Sequence, residues 1–314
     1  HKIYSFFPKC GNENFRMAFT VTKEGAPIQK RRYYFSETFA AIGCMEYYKA
    51  TGNKEALQKA EKYFDVAYSI FKNPSLTTPK FTNVKAKGLS PAMILLATAQ
   101  VMRSGAENPE KYNQITKEMT KIILESGFIC DEVGAMLESI SPEGKLINTT
   151  TGRIVNPGHS LEAAWFLISE GVYQNDEDII NAGKHIIDIT MPKAELPDYE
   201  GIICFRDVLG EPPLQLEWDM KKWWPQCEAI IANIVAYRVF GEDKYKNNFD
   251  RLVNYCMKHF ADSEYGEWYS ILHYDNTVAN TCKGHITKGP FHLPRMLMIA
   301  YSLTKGDSVL QFMK

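Results

Sequence analysis

The chain has 314 residues, a formal net charge of −1, 45% hydrophobic residues and 23% charged residues. This near-neutral charge gives no electrostatic basis for binding nucleic acid or an anionic membrane. The longest apolar runs, such as 163–169 and 229–236, are far too short to span a bilayer. No charge run or low-complexity segment marks a boundary, so we predict one domain over residues 1–314.

Five stretches of the chain begin in the same way, each opening a long apolar segment. Their starts lie roughly 55 to 70 residues apart, a period typical of an array of helical units. The predicted apolar helices lie near 35–50, 88–103, 158–170, 224–240 and 290–304. A helix that is apolar nearly all round is buried on every side, so these are predicted to be inner helices.

Four amphipathic segments alternate with the apolar ones, at 54–71, 108–125, 176–190 and 243–260. In the second, Tyr112, Ile115 and Met119 recur at helical spacing between Lys and Glu residues, which indicates one face in water. Inner and outer helices that close in a circle form an (α/α)-barrel, whose common form has twelve helices. The chain supplies nine and begins without Met. We therefore predict an all-α (α/α)6-barrel, or toroid, whose N-terminal helices precede His1.

Two long linkers lead into inner helices, at 128–156 and 192–222. They carry Gly, Pro and alternating segments such as 202–205, which predict short strands or hairpins. Long loops over one end of a barrel commonly shape a binding cleft.

The seven cysteines are odd in number, scattered and without a C-x-x-C pair. This usage predicts reduced thiols and a cytoplasmic protein. Cys227 lies between Gln226 and Glu228, but no partner base is evident in the sequence, so a catalytic cysteine is disfavoured.

Special polar residues cluster at the predicted inner-helix starts. His159 and Glu162 are three residues apart and share a helix face, and so do His292 and Arg295. Taken singly, each pair is also typical of helix-start residues held by the helix dipole or an ion pair. If the inner helices begin at one end of the barrel, these residues converge with Glu228. Two imidazoles and two carboxylates suit acid–base chemistry near neutral pH.

Other chemistries fit the pattern less well. The same residues could bind a metal as two histidines and a carboxylate, but no H-E-x-x-H spacing supports this, and no metal is expected. Two carboxylates could cleave a glycosidic bond, a chemistry that paired histidines fit poorly. Trp223 and Trp224, before Pro225, are typical either of packing or of a wall against a sugar ring.

Three segments, 156–163, 222–229 and 288–295, resemble the signature segments of the N-acylglucosamine 2-epimerase family, called renin-binding proteins in animals. The resemblance runs from about residue 15 to residue 301. It implies an (α/α)6-barrel and the interconversion of N-acetylglucosamine and N-acetylmannosamine. It also implies a homodimer, no cofactor for the chemistry, and ATP as an allosteric activator.

The resemblance assigns roles to individual residues. The two family histidines match His159 and His292, and the supporting glutamates match Glu162 and Glu228. Relatives that act on cellobiose or mannose usually carry a further His in the helix at 91–96, where this chain has Met93. This departure favours an N-acyl hexosamine substrate. The family's active-site Arg belongs to helices that would precede His1.

The expected mechanism acts on the open-chain sugar, from which one His removes the C2 proton while the other protonates the opposite face. The glutamates would orient the imidazoles or bind sugar hydroxyls, and Arg295 would stabilise the enediolate oxygen. The remaining predicted substrate-binding residues are Trp223, Trp224, Glu37 and Met93. The alternatives are a cellobiose 2-epimerase, an aldose–ketose isomerase and a non-catalytic barrel that binds sugar or protein.

Overall fold

The structure, a computed structural model, describes residues 14–30, 33–77 and 84–310. Within these ranges the chain forms nine α-helices and ten strands of two or three residues. The helices α1 to α9 are Phe35–Thr51, Lys54–Lys72, Leu89–Arg103, Pro109–Glu125, Pro157–Gln174, Glu177–Thr190, Trp223–Phe240, Asp243–His259 and His292–Thr304. The strands β1 to β10 are Thr20–Val21, Pro27–Gln29, Lys87–Gly88, Ile129–Cys130, Ala135–Met136, Ser139–Ile140, Ile154–Val155, Arg206–Asp207, Lys221–Lys222 and Ile271–Leu272.

The nine helices match the predicted segments to within a few residues at each end. The agreement has a local cause, because several helix ends carry residues that satisfy the terminal backbone groups. Asn53, Asn156 and Asp176 cap α2, α5 and α6 through their side chains. Gly52 and Gly241 end α1 and α7 in the left-handed conformation, at φ 71° and 69°.

The first of two compact units comprises the described residues up to Lys85 together with Pro91–Ile122. In it α1 packs against α2, and β1 pairs with β2 in an antiparallel hairpin. Glu37 is fully buried on α1 and accepts hydrogen bonds from Arg16 Nε and from the Met17 backbone amide, both at 2.8 Å. This ion pair ties the segment before the hairpin to the start of α1.

The second unit comprises Ala86–Ser90 and the described residues from Ile123 onward. Here α5, α7 and α9 lie side by side, with α6 packed on α5 and α8 packed on α7. A Cβ added to Gly183 of α6 would lie 2.7 Å from the Ala164 carbonyl oxygen of α5. The absence of a side chain at this glycine therefore lets the outer helix approach the inner one closely.

Burial confirms the inner assignment for α5 and α7 but corrects it for α9. Nearly every residue from Pro157 to Gly171 and from Trp223 to Ala236 is buried. On α9, by contrast, Leu297, Met298 and Tyr301 are exposed. The prediction that α9 is buried on every side is wrong for the described residues, because none of them covers this face.

The strands form five antiparallel pairs, and three of these pairs lead into inner helices. β3, β7 and β9 end just before α3, α5 and α7 begin. Their partners are β6, β8 and β10. Each of these helix starts is therefore held by a ladder of backbone hydrogen bonds.

The strands predicted in the long linkers are present, but not at 202–205, where the prediction is wrong. Ile202, Ile203 and Cys204 are all buried instead of alternating. The Gln226 side chain accepts from the Ile202 amide at 2.9 Å and donates to its carbonyl at 2.8 Å. The amides of the next three residues donate to the backbone carbonyls of Ala194, Met220 and Trp218. The segment thus has scattered hydrogen-bond partners and not one paired strand.

The six cysteines in the described part of the chain are free thiols, while Cys10 lies outside it. Cys227 is fully buried, and burial raises the pKa of its thiol well above the usual value, which disfavours the thiolate that a nucleophile needs. Among the described residues, no helix has the length and apolarity needed to cross a membrane.

Candidate active site

The structure brings together the polar residues at the starts of α5, α7 and α9. His159 and Glu162 come from α5, Glu228 from α7, and His292 and Arg295 from α9. Helix geometry explains why both members of each helix pair face the same way, because residues three apart are neighbours on a helix surface. The side-by-side packing of the three helices then turns these faces toward one another.

His292 has a buried carboxylate behind its ring. Its Nδ1 lies 2.7 Å from Glu228 Oε1, and the other oxygen of Glu228 accepts from Trp165 Nε1 at 2.9 Å. Burial would raise the pKa of Glu228, but the neighbouring Arg295 and His292 outweigh it and hold that pKa well below its usual range. Glu228 is therefore an anion that fixes His292 through Nδ1 and leaves Nε2 free for chemistry.

Arg295 links the two predicted glutamates. Its Nη2 donates to Glu162 Oε1 and to Glu228 Oε1, each at 2.7 Å. The guanidinium carbon lies 4.4 Å from the ring centre of Phe291 and 5.1 Å from that of Trp165. Both carboxylates thus have a permanent cation as their partner inside an aromatic enclosure.

The same arrangement bears on metal binding. Glu162, Glu228 and His292 offer three ligand atoms within 4.8 Å of one another. The Arg295 guanidinium already donates to both carboxylates and would repel a divalent cation placed between them. The donor set therefore does not fit a metal.

His159 also has a carboxylate partner, but not the one expected. Its Nδ1 lies 3.0 and 3.1 Å from the two oxygens of Glu138, whereas Glu162 points to Arg295. Burial would lower the pKa of His159, but the carboxylates of Glu138, Glu162 and Glu228 outweigh it and raise the pKa to about 9. Glu138 lies in a linker with no helical period, so only its place in a cleft-forming linker could have drawn attention to it.

The two neighbouring tryptophans have different environments. Trp223 is 3% exposed, and its ring lies 5.5 Å from His285. Trp224 is half-buried, and its ring centre lies 4.9 Å from that of His159 and 5.5 Å from that of His292. Trp224 is therefore the indole that both imidazoles contact.

A buried lysine that sequence reasoning missed supports Trp223. Lys288 donates to the carbonyl oxygens of Trp268 and Lys283, at 2.9 and 2.7 Å, and to the Glu267 carboxylate. Its ammonium lies 5.8 Å from the centre of the Trp223 ring. Lys288 thereby ties together the loop segments that precede α9.

The other two predicted substrate-binding residues belong to the first unit. Glu37 is paired with Arg16, and Met93 is buried on α3. A substrate contact for either residue stays a prediction.

Comparison with known proteins extends these observations. Residues 6–289 match the family model described as N-acylglucosamine 2-epimerase (GlcNAc 2-epimerase). The N-acylglucosamine 2-epimerase of Rattus norvegicus is 33% identical over 290 residues, which cover 90% of this chain and 68% of that protein. The cellobiose 2-epimerase of Eubacterium cellulosolvens is 22% identical over 329 residues, covering 95% and 78% of the two chains.

Solved structures bear on the fold. The cellobiose 2-epimerase of Bacillus thermoamylovorans aligns with a TM-score of 0.81 at 17% identity, covering 96% of this chain and 80% of that one. At this identity the likeness concerns the fold alone. The predicted fold class, an all-α (α/α)6-barrel, is confirmed.

Proposed function

Since the chain belongs to the N-acylglucosamine 2-epimerase family and is thus a sugar epimerase or isomerase by descent, we propose that it interconverts N-acetylglucosamine and N-acetylmannosamine. The observation that carries the proposal is the pair of imidazoles, His159 and His292, that contact one half-buried indole. Each imidazole has its own carboxylate behind Nδ1. Paired proton carriers of this kind suit removal and return of a proton at one carbon.

The proposed reaction begins with the open-chain sugar, whose aldehyde acidifies the C2 proton. One imidazole takes this proton, and the electrons of the C2–H bond form an enediolate. The other imidazole then gives a proton to the opposite face of C2. The two histidines come from different helices, α5 and α9, which is the arrangement needed to reach two faces of one carbon.

The substrate class rests on two observations. Identity to named N-acylglucosamine 2-epimerases is 32–33%, against 22–24% to the cellobiose 2-epimerases. In addition, the family resemblance implies a His near Met93 in relatives that act on unmodified sugars, and this chain has none there. Both favour an N-acyl hexosamine over cellobiose or mannose.

Further features of the proposal follow from the family. ATP would act as an activator that is not consumed, and the protein would work as a homodimer. The scattered, unpaired cysteines favour a cytoplasmic location. Purified protein incubated with N-acetylmannosamine, with and without ATP, should form N-acetylglucosamine. The same assay with cellobiose and mannose tests the other sugar enzymes. Binding of either amino sugar without turnover would favour a non-catalytic barrel.

Single replacements of the histidines test the two-base chemistry. His159→Asn and His292→Asn should each lower the epimerisation rate by about 10²- to 10⁴-fold, the usual contribution of a general acid or base. In deuterium oxide each variant should still exchange the C2 hydrogen of one epimer, because one imidazole remains. NMR of each epimer measures this exchange. Full exchange of both epimers by both variants would contradict the mechanism.

A further inference from the structure

Among the residues that the structure describes, the carboxylates around the two histidines outnumber the permanent cations. Glu138, Glu162 and Glu228 face this cluster, and within the described ranges the Arg295 guanidinium is the permanent positive charge bonded to it. If both imidazoles were neutral, two negative charges would be left uncompensated among these described groups, in a partly buried site. One imidazolium removes half of that excess, so the cluster favours one protonated histidine.

Geometry decides which histidine holds the proton. The carboxylate behind His292 is shared, because Glu228 Oε1 also accepts from Arg295. Arg295 Nη2 itself lies 3.5 Å from His292 Nδ1. A second positive charge on His292 would therefore be opposed by the guanidinium beside it.

His159 has the opposite surroundings. Both oxygens of Glu138 lie within hydrogen-bond distance of its Nδ1, and the only ion pair of Glu138 among the described residues is the one with His159. Glu162 on its own helix and Glu228 on α7 add further negative potential, which is why the pKa of His159 is raised. The proton is thus more stable on His159 than on His292.

Glu138 is also well placed to keep this orientation. It directly precedes β6, which pairs with β3, and its carbonyl oxygen accepts from the Leu89 amide at 3.0 Å. The backbone at Glu138 and just after it is therefore held, so the side chain meets His159 with little loss of further freedom.

We propose that Glu138 is a positioning residue that keeps His159 as the imidazolium in the resting protein, so that His292 acts first as the base. This inference rests on the proposed function for its catalytic part. His292 Nε2 takes the C2 proton as the C2–H electrons form the enediolate, and His159 gives its proton to the opposite face as those electrons return to C2. The epimer whose C2 hydrogen faces His292 is then the one for which the resting protein is ready.

The test follows the ionisation of His159 directly and needs no substrate. Protein labelled with ¹³C at histidine Cε1 is titrated by NMR, with His159→Asn and His292→Asn used for assignment. In the wild type His159 should titrate above neutral pH. In Glu138→Gln its midpoint should fall by about one pH unit or more, and Glu138→Asp should restore part of the shift.

A matched control removes a second His–carboxylate pair elsewhere. His185 Nε2 lies 2.6 Å from Asp131 Oδ1 on the surface, and Asp131→Asn should leave the His159 midpoint unchanged. The alkaline limb of kcat/KM with N-acetylmannosamine should move to lower pH in Glu138→Gln but not in Asp131→Asn.

The possible outcomes separate the inference from the proposed function. An unchanged His159 midpoint in Glu138→Gln, or a wild-type midpoint below that of His292, would overturn the inference. If the midpoint moves as expected but no sugar is epimerised, the charge assignment stands and the proposed function fails.

Discussion

The position of the Trp224 indole depends on Gly158, the glycine of the first signature segment. A Cβ on Gly158 would lie 2.7 Å from Trp224 Cζ3 and 2.9 Å from Pro225 Cβ. Such distances are too short for carbon atoms, so α5 and the start of α7 meet closely only because this position is glycine. The contact of Trp224 with both imidazoles therefore depends on Gly158.

We expect Gly158→Ala to displace Trp224 and to disturb the spacing of the two histidines. Overpacking should destabilise the fold by about 1–3 kcal/mol and lower kcat by up to about 100-fold. Chemical denaturation and the epimerase assay measure the two effects. Gly284→Ala is the matched control, because nothing lies within 4 Å of the added Cβ. Equal activity of both variants would show that the indole position is unimportant.

At the scale of elements, the active residues depend on how the inner helices begin. Asn156 caps α5, and its side chain accepts from the backbone amide of His159. Strand β7 lies just before it and is paired with β8. The cap and the strand pair together fix the first turn of the helix, and hence the place of His159.

Replacing two helix caps separates the effect of a cap on activity from its effect on the free energy of unfolding. Asn156→Ala on α5 and Asp176→Ala on α6 should each lower the free energy of unfolding by about 1 kcal/mol. Only Asn156→Ala should reduce activity, by about tenfold or more, because only this cap holds a turn that carries a histidine. Urea denaturation and kcat/KM test this. Equal activity losses would contradict the positional role.

At the scale of the whole molecule, charged groups that are buried or half-buried make stability depend on pH. The pKa of His159 is raised from 6.5 to about 9, because the surrounding carboxylates outweigh burial. A raised pKa stabilises the fold fully below the unfolded value and loses that effect as pH rises through the folded value. Burial lowers the pKa of Lys221 from 10.5 to about 8, which acts in the opposite direction from about pH 8 upward.

We therefore expect the His159–Glu138 pair to contribute about 1–2 kcal/mol at pH 6, after discounting for its partial exposure, and to lose this by pH 10. The difference in unfolding free energy between wild type and Glu138→Gln isolates this pair, since Lys221 is common to both. Urea titrations from pH 6 to pH 10 should show the difference shrinking as pH rises. A constant difference would contradict the assignment.

Local patterns predicted the described helices. The two predictions that were wrong share one cause, which is that both depend on distant parts of the chain. Hydrophobic period and capping residues are short-range signals, so helix bounds are readable from them. The strand predicted at 202–205 is absent because its backbone bonds to the Gln226 side chain and to carbonyls of separate segments, which no local pattern indicates. The prediction that α9 is buried on every side was wrong because apolar composition does not say which neighbours are present.

By itself, the sequence determined the helical class, the helix starts and the residue types that meet there. Only the tertiary structure decided which carboxylate serves which imidazole and which tryptophan contacts both of them. His159 meets Glu138 across 21 positions, and Arg295 meets Glu162 across 133. Helical periodicity extends over a few turns, whereas these partners are chosen by the packing of whole helices. The charge balance that leaves the proton on His159 therefore exists only in the folded chain.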